Sequence, residues 1–576
     1  MRGHIALLVL LAGLTFFLGL GRAVITDSDE AYYAEAGREM LESGDWLTPY
    51  FNYTPRFEKP VLHYWLIATS YKFFGLNEAA ARLPSALAGL GLVLLTYLVG
   101  FRWYNRNVAL LAGVIVATNF GYFSLSRMTL PDLPLTFFII LSTWAGLAAT
   151  SGSSTNQLGH SGYLTYSRKC YLLASSAAAV GLLTKGPVAI LFPLLVIGSI
   201  KVWEHPKRIR IMKSFWLSGS DVLTLTLAVS TGILIAAPWF VMMVQEHGVD
   251  YLSRFFIAEN VARFSTETFN PSRPVWFYLP ILAGGLFPWS PFLVLFAPIL
   301  KNLIDKSRRL TAIEIRLLVW ATVPLIFYTL SIGKQPRYIL PVLPPLAILL
   351  AHIVLDRLNS RPRSSFDRLF NGTTIFIGIT WMAIGVLILR AAPLFDSLSI
   401  SGGKITAGII VGCGLGLALS VFFRVRHHVP MFIAVGSICS LLALHFSVLT
   451  PLRPSAVEKT ASAIHQFRQA NEPVGVTDVF VRNLPFYSGL QQTSIINDDQ
   501  AINFLNSSER VMCVLTDKQL ARLEARLGRT FPRLFSNTYF NTANIRIRSL
   551  IHPDAGGVIQ TVLVITNKEI SAEKSH

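Results

Sequence analysis

The sequence predicts a polytopic α-helical membrane protein with a small α/β domain at its C-terminal end. The chain has 576 residues, of which 52% are hydrophobic and only 14% are charged, and its mean hydropathy is +0.50. A soluble protein of this size would expose far more charge. The sequence also contains about 13 apolar stretches close to the ~17–25 residues that an α-helix needs to cross a bilayer. They lie near residues 4–25, 79–101, 108–125, 131–150, 170–184, 186–203, 220–244, 274–300, 314–332, 338–356, 369–393, 404–423 and 429–450.

The first apolar run, Ile5–Leu20, is predicted to be an uncleaved transmembrane helix. Arg2 precedes it, as in a signal peptide, but no small-x-small cleavage site follows before the acidic stretch. The fifth and sixth spans are short and are separated only by Lys185-Gly186-Pro187. They form either a tight hairpin or one long broken element, and Lys185 either binds phosphate or extends towards the lipid headgroups.

Basic residues indicate the topology. The net charge is +18, and most clustered Lys and Arg fall in alternate loops. If the N-terminus is cytoplasmic, all of these loops lie inside, as the positive-inside rule requires. The charge therefore gives no indication of a nucleic-acid partner. The inside loops are Arg102–Asn107, Ser151–Lys169, Lys201–Lys213, Lys301–Arg316, Asp356–Arg368 and Arg424–His428.

The last part of the chain has a different pattern. Short β-rich runs alternate with amphipathic stretches, which is typical of a small α/β domain. We therefore divide the chain into a transmembrane domain, 1–450, and an extracytoplasmic domain, 451–576. The runs and stretches are Val474–Val476, Val511–Leu515, Val558–Ile565, Ala456–Gln469 and Lys518–Leu527. Four scattered cysteines indicate neither a disulfide framework nor a zinc site.

The outer loop 26–78 carries the densest set of carboxylates in the first half of the chain. Asp29 is a candidate N-cap and Glu30 a first-turn acid for a helix that we expect to lie on the membrane surface. Alternatively, both acids take part in chemistry, because they follow the first span closely. The solvated side of this helix is predicted to carry Glu35, Glu39 and Glu42.

Two further signals point to the same outer interface. Glu58 and Lys59 come back to the membrane before another aromatic, apolar stretch, and Asp132 begins the fourth span. Ionisable residues at such depths are costly, which favours a functional role, although Asp132 could be a helix cap and Lys59 could extend to the headgroups. A carboxylate can activate an acceptor hydroxyl, and cations stabilise a departing phosphate. This set therefore suits a reaction on a lipid-linked phosphate.

Several long motifs then follow in a fixed order, from DSDEAYYAEAGREMLESGDW, FEKPVLHYW and FGLNEAAARLPSA to TLPDLPLTFF, TKGP and KQPRYILPVLPPLAILLA. Together they resemble the bacterial C-type (GT-C) glycosyltransferases, in particular the protein O-mannosyltransferases and the lipid A 4-amino-4-deoxy-L-arabinose transferases. The resemblance covers roughly residues 5–350. It implies a polytopic GT-C fold, a polyprenyl-phosphate-linked sugar donor, and inverting transfer on the outer face of a bacterial inner membrane. No cofactor is implied.

The resemblance also implies roles for individual residues. Asp29 matches the first-loop aspartate, Asp132 the second acid, and Lys59 a lysine that contacts the donor phosphate. Lys334, Arg337 and Tyr338 form a second outer cluster that suits the same phosphate. The predicted catalytic residues are Asp29, Glu30 and Asp132; the predicted donor-phosphate ligands are Lys59, Arg263, Arg337, Tyr338 and Lys185; the predicted supporting residues are Glu58 and Tyr32.

The chain departs from the arabinose transferases at two positions. Tyr32 stands where they usually have Arg, which weakens the assignment of aminoarabinose as the sugar and lipid A as the acceptor. Glu259-Asn260 stands where they tend to have Glu-His, so we predict no required metal. A lone histidine nearby, His63, is expected to be an interfacial or packed residue.

The predicted function is transfer of a sugar from a polyprenyl-phosphate donor to a lipid, protein or glycan acceptor. The alternative is a transporter or flippase for a lipid-linked sugar, and a third reading is an inactive sensor. Transporters usually place polar sites near the bilayer midplane, often within inverted repeats. Here the ionisable residues lie at the outer ends of spans and no repeat is visible, which favours the enzyme.

Overall fold

A computed structural model of the chain describes residues 1–150, 160–204, 219–267, 271–297, 310–359, 364–396, 402–450, 454–540, 551 and 559–568. Some of the basic residues of the predicted inside loops lie outside these ranges. They are Lys207, Arg208, Arg210, Lys213, Lys301, Lys306, Arg308, Arg309, Arg361 and Arg363.

Helices dominate the first 450 residues. The α-helices are α1 (Arg2–Ala12), α2 (Asp29–Ser43), α3 (Leu62–Phe74), α4 (Glu78–Trp103), α5 (Arg106–Thr118), α6 (Phe120–Ser126), α7 (Asp132–Thr150), α8 (His160–Thr184), α9 (Val188–Glu204), α10 (Gly219–His247), α11 (Tyr278–Gly285), α12 (Ala312–Leu330), α13 (Leu343–Asn359), α14 (Ser364–Asp396), α15 (Gly403–Phe422) and α16 (Val429–Leu444). Short π- or 3₁₀-helical segments extend or link several of them, at Gly13–Phe17, Ser253–Ala262, Val275–Phe277, Ser290–Phe296, Pro336–Val342, Arg426–His428 and His445–Leu449.

Each predicted span coincides with a helix or with a pair of helices. In the described part of the chain, eight helices are long and apolar enough to cross a membrane, or ten if two bent pairs each count as one span. The pair α5–α6 bends by 56° and the pair around α11 bends by 113°. The other predicted spans correspond to α1 with its π-helical extension, to α9 with 17 residues, and to α8, which has 25 residues. The polytopic helical fold class is therefore confirmed.

The fifth and sixth spans form a tight hairpin. Helix α8 ends at Thr184 and α9 begins at Val188. Lys201, near the end of α9, donates to the Thr150 carbonyl at the end of α7, and Ser167, near the start of α8, donates to the carbonyl of Ala149. The free ends of the hairpin thus lie together beside the C-terminal end of α7. Lys185 consequently lies at the other end of the bundle, beside the first residue of α7.

Helix α2 begins differently from the prediction. Its N-cap is Ser28, in an extended conformation, and Asp29 is the first helical residue. The prediction of Asp29 as the cap was therefore wrong by one position. Because Ser28 takes the capping position, the Asp29 side chain remains available for contacts outside its own helix.

The predicted surface helix is instead largely buried. Glu35 and Glu39 are 0% and 2% exposed, so their assignment to a solvated side was wrong. The α2 backbone packs tightly on α3, because a Cβ added at Gly37 would lie 2.5 Å from Ile67 Cγ2. Arg38 compensates the buried charge by donating to both carboxylate oxygens of Glu35, at 2.8 and 2.7 Å. Glu42, with a half-exposed side chain, is the one member of the predicted set that faces solvent.

The strands form a short hairpin and a C-terminal sheet. The hairpin, β1 (Tyr50–Phe51) and β2 (Thr54–Pro55), lies apart in the loop 26–78. The strands of the sheet are β3 (Val474–Val476), β4 (Gln492–Ser494), β5 (Met512–Thr516), β6 (Arg533–Phe540) and β7 (Ile559–Thr566), and the helices of this region are α17 (Ala456–Phe467), α18 (Leu484–Ser488), α19 (Asp498–Leu505) and α20 (Asp517–Leu527). The strand order is β4-β3-β5-β7-β6. Strands β3, β4 and β5 are parallel, with Val474 opposite both Gln492 and Met512, and β7 runs antiparallel to β5 and β6.

This C-terminal region lies against the first outer loop. The Tyr487 hydroxyl accepts from the Ile25 backbone N–H at 2.8 Å and lies 3.0 Å from a Glu78 oxygen. The Asn483 side chain donates to the Ile25 carbonyl. The sheet is therefore held at the same end of the bundle as α2 and the α8–α9 turn.

Candidate active site

The Asp-Glu pair at the start of α2 has its two carboxylates in different environments. Glu30 is fully buried and binds Arg82 of α4 through both oxygens, with Nε–Oε1 at 2.7 Å. Backbone N–H groups of Thr26 and Thr129 also donate to it. Asp29 is the neighbouring residue, yet its side chain is half exposed and faces a cavity. Glu30 thus joins α2 to α4, whereas the Asp29 carboxylate faces the cavity, where a ligand can reach it.

Asp29 belongs to a chain of alternating charges. Its Oδ2 lies 2.5 Å from a terminal nitrogen of Arg337. The same guanidinium lies 3.4 Å from Asp132 through Nε, and the other Asp132 oxygen accepts from Lys185 at 2.5 Å. Lys185 also lies over the Tyr338 ring, 5.2 Å from its centroid. Residues from four separate parts of the sequence therefore converge on one electrostatic network.

A second cationic group lies on the opposite side of the network, around Glu259. One oxygen of Glu259, Oε2, accepts from Lys59 at 3.1 Å and from Arg263 at 2.6 Å. Lys59 also donates to the Glu58 carbonyl at 2.6 Å, and Arg263 also hydrogen-bonds the side chain of Tyr338. Tyr338 therefore touches the cations of both groups.

These groups surround a cavity of about 820 Å³ at the end of the helical bundle. Five of its lining residues are Lys or Arg and three are Asp or Glu, so its wall has an excess of positive charge. The remaining lining residues include the apolar side chains of Leu135, Val188, Leu191, Phe256, Ile257, Val261, Phe264 and Phe327. A cavity lined by both cations and apolar side chains suits an anionic group attached to a hydrocarbon chain.

Two cations lie over the ring of Tyr32, which lines this cavity together with one of them, Arg56. Arg56 and Arg482 both lie over the Tyr32 ring, 4.3 and 5.5 Å from its centroid. Arg482 Nε also donates to the Tyr32 hydroxyl at 3.2 Å, and its backbone N–H donates to Asp27. Among the described residues no carboxylate lies within 4 Å of the Arg482 guanidinium. The C-terminal region thus places an exposed positive charge beside Tyr32.

The pKa values of two groups outside the spans bear on the chemistry. Burial raises the pKa of the Asp29 carboxyl, but the charge and hydrogen bond of Arg337 outweigh burial and leave it below the ordinary aspartate value. Burial and the nearby Arg263 lower the pKa of Lys59 to about 8, although Glu259 opposes the shift. Asp29 is therefore ionised at neutral pH, and Lys59 loses its proton at around pH 8.

Most of the predicted site residues meet at this cavity. The predicted residues that line it are Asp29, Tyr32, Glu58, Lys59, Lys185, Arg263, Arg337 and Tyr338. Asp132 lies directly behind Arg337 and Lys185 and holds both. Glu30, predicted as catalytic, does not line the cavity, because its carboxylate is fully occupied by Arg82 and backbone donors.

Two other expectations need correction or comment. Lys334 was grouped with Arg337 and Tyr338, but its ammonium donates to the Ser331 and Arg273 carbonyls and does not line the cavity. His63 is fully buried and packs edge-on against Tyr33, as expected of a packed residue. In the described ranges, no three His, Cys, Asp or Glu side chains lie close enough together to hold a metal ion.

Sequence reasoning missed three residues of this site. Glu259 was noted only as part of a motif, although an acid four residues before Arg263 could have predicted an i, i+4 pair. Arg56 precedes the Phe-Glu-Lys-Pro motif directly, and that proximity was a usable signal. Arg482 follows Asp27 by 455 positions, and nothing in the local sequence marks it.

The chain shares sequence with known glycosyltransferases. Residues 5–249 match the family model of the dolichyl-phosphate-mannose-protein mannosyltransferases. An undecaprenyl phosphate-alpha-4-amino-4-deoxy-L-arabinose arabinosyl transferase 2 of Pseudomonas fluorescens is 31% identical over 416 residues, which cover 71% of this chain and 66% of the relative. An arabinosyl transferase of the same description from Erwinia tasmaniensis is 33% identical over 59% of this chain and 57% of the relative. The matched region thus spans less than two thirds of these relatives.

The fold resembles a solved structure over nearly its whole length. The crystal structure of ArnT from Cupriavidus metallidurans in the apo state has a TM-score of 0.73 and 22% sequence identity, and 98% of each chain is covered. The structure of the same protein bound to undecaprenyl phosphate has a TM-score of 0.69 and also 22% identity, covering 99% of this chain and 98% of the other. Together with its apolar helices, these similarities make the chain a multi-pass membrane protein.

Proposed function

Because this chain belongs to the GT-C glycosyltransferase family that includes the protein mannosyltransferases and the undecaprenyl phosphate aminoarabinose transferases, we propose that it is an inverting glycosyltransferase. It takes a sugar from a polyprenyl-phosphate donor and transfers it to an acceptor on the outer face of the membrane. The observation that carries the proposal is the network Asp29–Arg337–Asp132–Lys185 at the wall of a cavity that also presents Lys59 and Arg263.

The donor phosphate is bound by the cations of the cavity. Lys59 and Arg263 form one pair and Lys185 and Arg337 form another, and Tyr338 touches a member of each. Cations placed around a leaving phosphate stabilise the charge that develops as the sugar departs. The apolar lining side chains, among them Phe256 and Leu191, meet the first units of the polyprenyl chain.

The transfer itself exchanges one bond for another at the anomeric carbon. The nucleophilic oxygen of the acceptor bonds to this carbon as the bond to the phosphate oxygen breaks, and polyprenyl phosphate leaves with the electron pair. Attack from the face opposite the leaving group inverts the configuration. A hydroxyl acceptor would pass its proton to Asp29, whereas an ionised phosphate acceptor has no proton to lose.

The electrostatics of Asp29 favour the second kind of acceptor. Because Arg337 holds the pKa of Asp29 below its ordinary value, this carboxylate is a weak general base. It is better suited to orienting the acceptor or stabilising positive charge on the sugar. Asp132 contacts no part of the cavity directly, and it orients Arg337 and Lys185.

An anionic acceptor is also supported by the residues around Tyr32. The arabinose transferases usually have Arg at this position, and this chain supplies Arg56 and Arg482 on the ring that replaces it. We therefore propose an acceptor that carries a phosphate or carboxylate near the reacting oxygen, such as a lipid A-like lipid. A protein or another envelope glycan with such a group fits the same charges.

The proposed orientation places this site in the periplasm of a bacterial inner membrane. Two basic residues of these loops that the structure describes, Lys201 and Arg316, lie at the opposite end of the bundle, beside Thr150 at the end of α7 and Glu204 at the end of α9. The positive-inside rule makes that end cytoplasmic. The domain division at residue 450 follows from the same orientation, with residues 451–576 as a periplasmic domain over the site.

The direct test is transfer in reconstituted membranes. The purified protein in proteoliposomes is incubated with undecaprenyl phosphate-aminoarabinose or with mannosyl-phosphoundecaprenol, and with lipid A as acceptor. Mass spectrometry then detects the glycosylated product and the released undecaprenyl phosphate. Mass spectra of envelope lipids and proteins from cells with and without the chain identify other acceptors. Movement of intact donor across the vesicle membrane without any product would contradict the proposal and favour a flippase.

A further inference from the structure

The contact between Glu259 and the two cations Lys59 and Arg263 needs an explanation of its own. In the proposed reaction these cations bind the donor phosphate, yet a single Glu259 oxygen already occupies both of them. Glu259 is itself only 9% exposed and lines the cavity. A carboxylate at this place would repel the phosphate, because like charges in a partly buried site interact strongly.

Each cation has a second partner that does not depend on Glu259. Lys59 donates to the Glu58 carbonyl, and Arg263 hydrogen-bonds Tyr338. Both side chains would therefore keep one contact within the protein if the carboxylate moved away. The donors that now bind Glu259 would then be available to a ligand oxygen.

The backbone that carries Glu259 is unusual. Residues Ser253–Ala262 form a π-helix of ten residues, flanked by short α-helical turns at Asp250–Leu252 and Arg263–Ser265. π-Helices are rare in proteins, and those that occur are often found at functional sites. Conversion of one π-turn to an α-turn would rotate the following side chains around the helix axis and would therefore move Glu259 relative to Lys59.

We propose that Glu259 is an internal substitute for the donor phosphate: it occupies Lys59 and Arg263 in the empty site and is displaced when a polyprenyl phosphate binds. This inference rests on the proposed function. The donor is a phosphodiester with one negative charge, whereas the released polyprenyl phosphate is a monoester with about −1.5 to −2 at neutral pH. The product would therefore bind the cations more tightly than the donor, and competition from Glu259 accelerates its release.

Glu259→Gln tests the competition directly. The amide keeps the shape of the side chain and removes its charge. Undecaprenyl phosphate should then bind the protein in nanodiscs about tenfold more tightly, as expected if the net cost of displacing one ion pair is lost. Binding of undecaprenol should not change. In the transfer assay, the donor KM and kcat should both fall, because the product leaves more slowly.

The matched control is Glu267→Gln, which removes an exposed carboxylate from the same outer loop. It should change neither the affinity for undecaprenyl phosphate nor the kinetics. Weaker or unchanged binding of undecaprenyl phosphate by the Glu259→Gln protein would overturn the inference, since it would mean that Glu259 orders the two cations for the ligand. Failure of the wild-type protein to bind undecaprenyl phosphate at all would instead overturn the proposed function.

A measurement on the wild-type chain covers the case in which the variant does not fold. Hydrogen exchange of peptides that span the π-helix should change when undecaprenyl phosphate is added and should not change with undecaprenol. Exchange that is the same in both cases, while undecaprenyl phosphate binds, would show that Glu259 and its helix stay in place, which contradicts displacement.

Discussion

The Asp29 carboxylate lies 2.5 Å from the Arg337 guanidinium, although 308 positions separate the two residues in the sequence. The contact joins the first outer loop to the segment that begins the α13 span. Since Arg337 also reaches Asp132, one guanidinium holds both acids that the family resemblance marks as functional.

Replacing Asp29 should abolish most of the transfer activity without affecting the fold. Asp29→Asn removes the charge that orients the acceptor or stabilises positive charge on the sugar, and we expect kcat to fall by about 100-fold or more. The thermal unfolding temperature should stay close to that of the unmodified protein, because the side chain is half exposed. Asp250→Asn, at an exposed acid outside the cavity, is the control. Full activity of the Asp29→Asn protein would contradict the role given to this carboxylate.

Replacing Glu30, unlike replacing Asp29, should lower the stability of the protein. Glu30→Gln leaves Arg82 as a buried, uncompensated charge, and loss of one partner of such a pair costs about 3–5 kcal/mol of stability. Thermal unfolding in detergent should therefore begin at a clearly lower temperature. The double variant Glu30→Gln/Arg82→Met should recover part of the loss. A Glu30→Gln protein that unfolds normally but is inactive would instead make Glu30 a catalytic residue.

Arg482 should affect the acceptor and leave the donor alone. Arg482→Ala removes a cation beside Tyr32. Because this side chain is exposed, we expect the acceptor to lose only about 1 kcal/mol of binding free energy. The KM for lipid A should rise about fivefold. The donor KM should stay constant. Arg522→Ala, on the exposed side of α20, is the matched control from the same region. An equal effect on donor and acceptor would rule out a separate acceptor contact.

Binding of undecaprenyl phosphate should weaken at alkaline pH. The pKa of Lys59 is lowered to about 8, so its ammonium is charged below that pH and becomes neutral above it. The phosphate monoester is already ionised in this range, so the loss of affinity reports the lysine. Titration between pH 7 and pH 9.5 should show the decline in the wild-type protein and a flatter profile in Lys59→Arg. Affinity that does not change with pH would place Lys59 away from the phosphate.

Much of the fold follows from the sequence because membrane insertion is a local property. Each predicted span is a run of apolar residues whose backbone must satisfy its own hydrogen bonds in lipid, so a helix is the only local solution. The breaks at α5–α6 and around α11 were not predicted. They depend on contacts such as the hydrogen bond from Phe120 N–H to the Phe287 carbonyl, which joins segments far apart in the sequence.

The composition of the site could be predicted, but not its internal arrangement. Eight of the ten predicted site residues line the cavity. The family motifs did not separate Asp29 from Glu30, because adjacent residues on a helix point in directions about 100° apart and only the neighbouring helices decide which side is buried. Glu35 and Glu39 were misplaced for the same reason, since α3 covers the face that charge alone suggested was exposed.

The sequence by itself determined the membrane class, the helical segments, the candidate acids Asp29 and Asp132, and the glycosyltransferase family that the chain resembles. These properties depend on the length of the apolar runs, on the distribution of Lys and Arg, and on motifs of adjacent residues. Only the tertiary structure decided that Glu30 pairs with Arg82, that Glu259 binds Lys59, and that Arg482 lies on Tyr32. Each of these pairings depends on how distant segments pack, because the two residues are far apart in the sequence and come into contact only in the folded chain.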